Sequence, residues 1–238
     1  MPNLQIGSLE MQLNRKPIKN LHISVLPPDG RIRVSAPEKM TDTAIRMAVI
    51  SRIPWIKKQQ QSFAAQPRQS QREMCTGESH YLWGQRYRLQ VFERVGRHQL
   101  VRRGNNKLQL YVNPNTSRDN KARVLDDFYR REIKLKIADL VAHWQLVLGV
   151  EVTAWNVRKM KTKWGSCNPN SRRILLNLEL VKKPPECLEY IVVHELAHLL
   201  ERHHNARFRK YMDSYLHDWQ ERKALLNSGP LAYEEWSY

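Results

Sequence analysis

Apolar and polar positions alternate across residues 4–36, most clearly at Leu21, Ile23 and Val25 and again at Ile32 and Val34. A period of two puts every second side chain on one face, the signature of a half-buried strand. Pro27, Pro28, Asp29 and Gly30 separate the two runs and supply turn chemistry, so the stretch predicts a β-hairpin that Pro37 closes. The period then becomes helical at Ile45, Val49, Ile53 and Ile56, with Thr41 or Asp42 as the N-cap and Pro54 predicting a break near Ile53. Residues 59–72 turn to Gln, Ser, Arg and Ala and read as a solvated helix end or linker.

Alternation returns at Tyr81, Trp83, Tyr87, Leu89, Val91, Val101, Leu108, Leu110 and Val112, with Gly84, Gly96 and Gly104 near the turns, and predicts an antiparallel meander. Ser117 or Asp119 opens a long helix carrying Val124, Phe128, Ile133, Ile137, Leu140, Val141, Trp144 and Leu148 at helical spacing, and Gly149 stops it. Two strands follow, roughly 152–163 and 174–180, joined by NPNSRR and with KWGSC at the bend. Pro184 and Pro185 lead into a helix whose apolar flank is Leu188, Ile191, Val192, Leu196 and Leu199. A last amphipathic helix begins near Asn205 and carries Phe208, Met212, Tyr215, Leu216 and Trp219, while the tail 229–238 has no period. No repeat of solenoid length is visible, and the sharpest change of composition falls at residues 66–79, which predicts a region 1–78 and a second domain 79–238.

The 238 residues are 41% hydrophobic, enough for a proper core. No apolar run approaches the roughly 20 residues of a membrane span, and MPNLQIGSLEMQLNRK has no signal pattern, so a cytoplasmic protein with no membrane contact is expected. Cys75, Cys167 and Cys187 are odd in number and far apart, which fits reduced structural thiols; KWGSC, with Trp164 and Cys167, reads as a packed turn. The net charge of +17 divides as +7, +7 and +3 over residues 1–75, 76–150 and 151–238. A surface of that sign attracts nucleic acid, nucleotides or acidic proteins.

The chemistry concentrates in IVVHELAHLLERHHNARF, residues 191–208. His194 and His198, four apart, stand one above the other on a helix and suit a tetrahedral zinc ion, while Glu195 reaches a metal-bound water as general base without being a ligand. His204, six residues past His198, is the first choice as third ligand, ahead of His203 and then Glu179 and Glu201. Glu201 stands where a metzincin uses glycine, so the helix ends differently from that pattern.

HELAHLLERHHNARF, with KMKTKWGSC about 30 residues upstream and NLELVKKPPECLEYIVV between, resembles the YgjP-like family of metallopeptidases, related to SprT-like zinc domains. The PDG hairpin, APEKMTD, YLWGQRYRLQV and the long central helix resemble that family's N-terminal part. The resemblance implies zinc on His194, His198 and His204, with Glu195 as catalytic base. It implies an α+β fold, with N-terminal antiparallel β segments and helices, then a C-terminal zincin-like (minimal gluzincin or SprT-like) sheet and an active-site helix carrying HExxH.

Three chemistries follow from these residues. A zinc metallopeptidase would pair its peptide with strand 174–180 and draw an oxyanion donor from Tyr211 or Tyr215. A UTP pyrophosphatase, an activity that the resemblance attaches to one branch of the family, would use Arg158, Lys159, Lys161 and Lys163 to neutralise a triphosphate, positions 159, 161 and 163 sharing a strand face. A nucleic-acid-associated zinc protein would use the basic surface. An intact Glu195 favours an enzyme, because a structural zinc site has no need of that carboxylate.

Overall fold

The computed structural model describes residues 3–26, 30–65, 72–160 and 163–228. Pro27, Pro28 and Asp29 of the hairpin turn, residues 66–71 of the linker, Lys161 and the tail 229–238 lie outside them. The chain divides into two compact units, which among the described residues are 3–65 and 72–228.

The first unit holds β1 (Asn3–Ile6), β2 (Leu9–Lys16), β3 (His22–Leu26) and β4 (Arg31–Pro37), followed by α1 (Asp42–Ile50) and α2 (Ile53–Ala65). Ile23 pairs with Val34 and Val25 with Ile32 in an antiparallel hairpin. The sheet order is β1-β2-β4-β3, however, and β2 runs parallel to β4, with Met11 opposite Ile32. The expectation of purely antiparallel segments is thereby corrected. After β2 the chain crosses to the far edge, and β4 returns between β2 and β3. Alternation cannot distinguish the two pairings, because it records only which face is buried. Thr41 caps α1, its hydroxyl accepting from the Ala44 N–H, and α2 restarts with Pro54 at its second position. Leu4, Met11, Leu13, Ile32, Val34, Ile45, Val49 and Ile56 form this unit's core.

The second unit repeats that plan with β5 (Ser79–Leu82), β6 (Gln85–Glu93), β7 (Gln99–Arg103) and β8 (Lys107–Val112), ordered β5-β6-β8-β7. β6 and β8 are parallel, with Leu89 opposite Leu108, so this is no meander. The two sheets share one connectivity, and each is followed by a helix. Here it is α3 (Arg118–Leu148), capped by Ser117 and ended by Gly149 at φ +66°, a left-handed conformation that glycine adopts without strain. Its buried stripe runs Leu125, Phe128, Tyr129, Ile133, Ile137, Val141, Trp144 and Leu148.

A three-stranded sheet follows: β9 (Ala154–Arg158), β10 (Gly165–Asn168) and β11 (Arg173–Asn177), ordered β10-β11-β9. Gly165, Ser166 and Cys167 therefore lie in a strand, with only Trp164 in the bend before it, and the strand is hairpinned to β11 through NPNSRR, with Cys167 opposite Ile174. β11 has β10 antiparallel on one side and β9 parallel on the other, so strand 174–180 has no free edge; Leu178–Lys182 is a 3-10 turn. Then come α4 (Pro185–Ala197), α5 (Ala206–Tyr215) and α6 (Trp219–Ser228). Glu189 of α4 joins three helices, accepting from Trp144 Nε1 at 3.0 Å and from Arg222 of α6. No helix among the described residues is long and apolar enough to cross a membrane.

His80 on β5 is only 4% exposed and its pKa is lowered to about 3, first by burial and then by the nearby charges of Arg72 and Lys182. A histidine held neutral in the fold but free to charge when unfolded gives its full stability above pH 6.5 and loses it as the pH falls from 6.5 towards 3. The loss is about 1.4 kcal/mol per pH unit, roughly 2 kcal/mol by pH 5. Denaturant midpoints from pH 7 to pH 4 should fall less steeply for His80→Leu than for the wild type.

Candidate metal centre

Proline at the first position starts α4, and the run Tyr190, Ile191, Val192 and Val193 buries it against the core. The helix does not carry the whole motif. It ends at Ala197, His198 is its C-cap, and His204 stands in the stretch before α5, so the three histidines are divided between the end of one helix and the approach to the next. This corrects the expected zincin-like arrangement on a single HExxH helix, while the α+β class stands. Past Ala197 the backbone tightens into turns, with Leu199 N–H donating to Leu196 O and Leu200 N–H to Ala197 O, each at 3.0 Å. Those turns fold the chain back and return His204 to His194.

His198 keeps a right-handed helical conformation at φ −67°, ψ −15°, so its ring stays one turn from His194, with centroids 4.9 Å apart. The Nε2 atoms of His204 and His194 are 3.0 Å apart, and one ligand atom from each of the three rings lies within 4.8 Å of the others. A tetrahedral zinc ion about 2.0–2.1 Å from each nitrogen needs them roughly 3.3 Å apart, so small side-chain rotations suffice. The donor set fits a divalent metal ion. The backbone carbonyl of Glu201 lies 3.1 Å from His198 Nδ1, which fixes that ring and turns its other nitrogen towards the cluster. Among the described residues the buried Nδ1 of His194 has no hydrogen-bond partner, and packing against Tyr190 and Phe208 holds the ring instead. Phe208, on the first turn of α5 behind its Asn205 cap, touches all three imidazoles, with centroids 4.7–5.0 Å away.

Electrostatics favour ligation. Burial, then the neighbouring His198 and His204, lowers the His194 pKa to about 3, and burial with His198 lowers that of His204. Both rings are neutral at physiological pH, as metal ligation requires. Glu195 is 5% exposed and burial pushes its carboxyl up to about 8, with Lys163 pulling the other way. A cleft of about 570 Å³ opens over this group, one wall from Lys163 to Asn170 including β10 and the other from His194, Glu195, His198, Arg202 and His204. Gly165 stands against the carboxylate: a Cβ there would lie 2.4 Å from Glu195 Oε1. Gly165 and Phe208 are the site residues that the sequence did not disclose, since only tertiary contact gives them their place.

The other candidates lie elsewhere. His203 is exposed, and its backbone N–H donates to the Glu201 carboxylate. Glu179 is paired with Lys182 at 2.6 Å in the 3-10 turn. Tyr211 accepts from Arg207 Nε and stacks on Tyr215, and neither tyrosine lines the cleft. Lys159 is 3.1 Å from Asp126, and β9 has already ended at Arg158, so no strand face joins it to Lys163.

Neutral imidazoles converging on one point are what a divalent ion demands, and a carboxyl titrating near neutrality beside them is what proton transfer to and from water demands. The site is of the metal-dependent hydrolase class. The family model described as YgjP-like, metallopeptidase domain, matches residues 19–229, and the chain belongs to that family. It is a metallopeptidase-type hydrolase. Two solved structures are similar over part of the chain: the metallopeptidase zymogen abylysin of Pyrococcus abyssi, 21% identical over 40% of this chain and 99% of its own, and the zymogen jannalysin of Methanocaldococcus jannaschii, 25% identical over 38% and 92%. Both have a TM-score of 0.35, too low to bear on the fold. No curated protein matches the chain significantly.

Proposed function

We propose that the chain is a zinc peptidase that holds an extended polypeptide along the open edge of β10, within a hydrolase domain formed by its second unit. The observation that carries this reading is the seating of Gly165, at the start of that edge strand, directly against the Glu195 carboxylate. Backbone amides and carbonyls at a free sheet edge recruit an extended chain as an additional strand. A peptide in that place passes the carboxylate and the histidines within one cleft. His194, His198 and His204 would hold the ion, which when bound supplies a polarised carbonyl and a water of lowered pKa. Glu195, buried beside the three histidines with its carboxyl pushed up to about 8, would accept a proton from the attacking water and pass it to the leaving amine.

Phosphoanhydride hydrolysis has less support, because Lys159 is committed to Asp126 and Lys163 alone of the basic residues 158, 159 and 163 lines the cleft. The zinc-loaded protein should cleave casein, lose the activity to a chelator and regain it with zinc, and leave UTP intact with zinc or magnesium. Hydrolysis of UTP with casein untouched would overturn the reading.

A further inference from the structure

The β5-β6-β8-β7 sheet buries Leu82, Tyr87, Leu89, Leu100, Leu108, Leu110 and Val112 on one face. Its register arranges the other face in rows across three strands. Arg88, Lys107 and Arg103 form one row, Gln90, Gln109 and Val101 the next, and Phe92, Tyr111 and Gln99 the third. Phe92 stacks on Tyr111 with centroids 5.2 Å apart and planes at 20°, and the Arg94 guanidinium lies 4.1 Å over the Tyr111 ring. The amide row is ordered too: Gln109 donates to Gln90 Oε1 at 3.1 Å and accepts from the Tyr111 hydroxyl at 2.9 Å. Phe92 is 41% exposed, although an aromatic ring gains by being covered.

Residues 85–112 contain seven arginines and lysines against one acid, Glu93, which alternates to the opposite side from Phe92. The topology does not require any of this. The first unit's sheet has the same strand order, and its corresponding strands place Glu10, Gln12, Arg31 and Arg33 at the outward positions and contain no Phe, Tyr or Trp.

We propose that this face binds single-stranded nucleic acid, with bases stacking on the Phe92–Tyr111 platform, the glutamines meeting their edges, and Arg88, Lys107 and Arg103 taking phosphates. Aromatic platforms combined with a basic track are how sheets hold unpaired strands, because every base has a π face that a duplex conceals. The aromatic and basic rows are four residues apart along β6, about 13 Å, so the ligand is an oligomer and not a mononucleotide. The surface is separate from the peptidase reading, as none of its residues lines the metal cleft.

Fluorescence anisotropy of the full chain with labelled 12-mers of dT and of U, a 12-base-pair duplex and polyglutamate, at about 0.15 M salt, tests the proposal. One of the single strands should bind at least about ten-fold more tightly than the duplex, and the better of the two identifies DNA or RNA. Phe92→Ala, which leaves the charge unchanged, should weaken that binding about five-fold or more and leave casein cleavage as it was. Arg88→Ala with Lys107→Ala should reduce the salt slope by roughly 1.4. Equal affinity for duplex, or no effect of Phe92→Ala, would overturn the proposal, and polyglutamate bound as tightly as the oligonucleotides would reassign the face to an acidic protein.

Discussion

Gly165→Ala should lower peptide turnover by about 10²- to 10⁴-fold while leaving the fold and the metal in place. The added methyl group would come within 2.4 Å of Oε1, 2.8 Å of Cγ and 2.9 Å of Cδ of Glu195, so the carboxylate must leave its position. Strand backbone accepts alanine without strain, so the cost falls on the side chain opposite. Glu195→Gln should cause a loss of the same order, the range usually carried by one general acid–base group, because the amide keeps the shape and removes the proton transfer. Loss of metal in either variant would mean that Glu195 acts through the site's structure. Steady-state kinetics on a fluorogenic peptide, with zinc measured in the same samples, separates the two outcomes.

The second large effect concerns His204. His204→Ala removes a donor 3.0 Å from His194 Nε2 and should weaken zinc affinity by more than about 100-fold, beyond the 10–100-fold that loss of a mere supporting partner brings. His203→Ala should change it less than about two-fold, since that ring is exposed and outside the cluster. Competition with a chromophoric chelator reads both values. The opposite ranking would place the third ligand on His203 and require the turn at residues 199–205 to rearrange.

Much of this was legible in the chain. The apolar spacing and Gly149 outline α3, whose cap is Ser117, one of two candidates, and Thr41, one of two candidates, caps α1. Helix α5 starts near Asn205, and His194, His198 and His204 stand out in the motif with His203 as the alternative third ligand. Strand pairing was not, because Met11 and Ile32 are buried alike whether their strands run parallel or antiparallel. The end of α4 was concealed as well: Leu199 and Leu200 continue the apolar period of Leu196, and only the folded chain shows tight turns in place of another helical turn. Gly165 looked like turn chemistry, but its lack of a side chain makes room for Glu195 on a strand. Lys159 and Lys163 would share one basic face only on a strand that continued past residue 158, and β9 stops at Arg158.

Zinc titration of the metal-free protein, with bound metal and casein cleavage followed together, tests the central claim most directly. Activity should rise in proportion to occupancy and saturate at one zinc ion per chain, with no activity in a His194→Ala, His198→Ala double variant that remains folded. A metal-free protein that is folded and cleaves casein at the full rate would contradict the account.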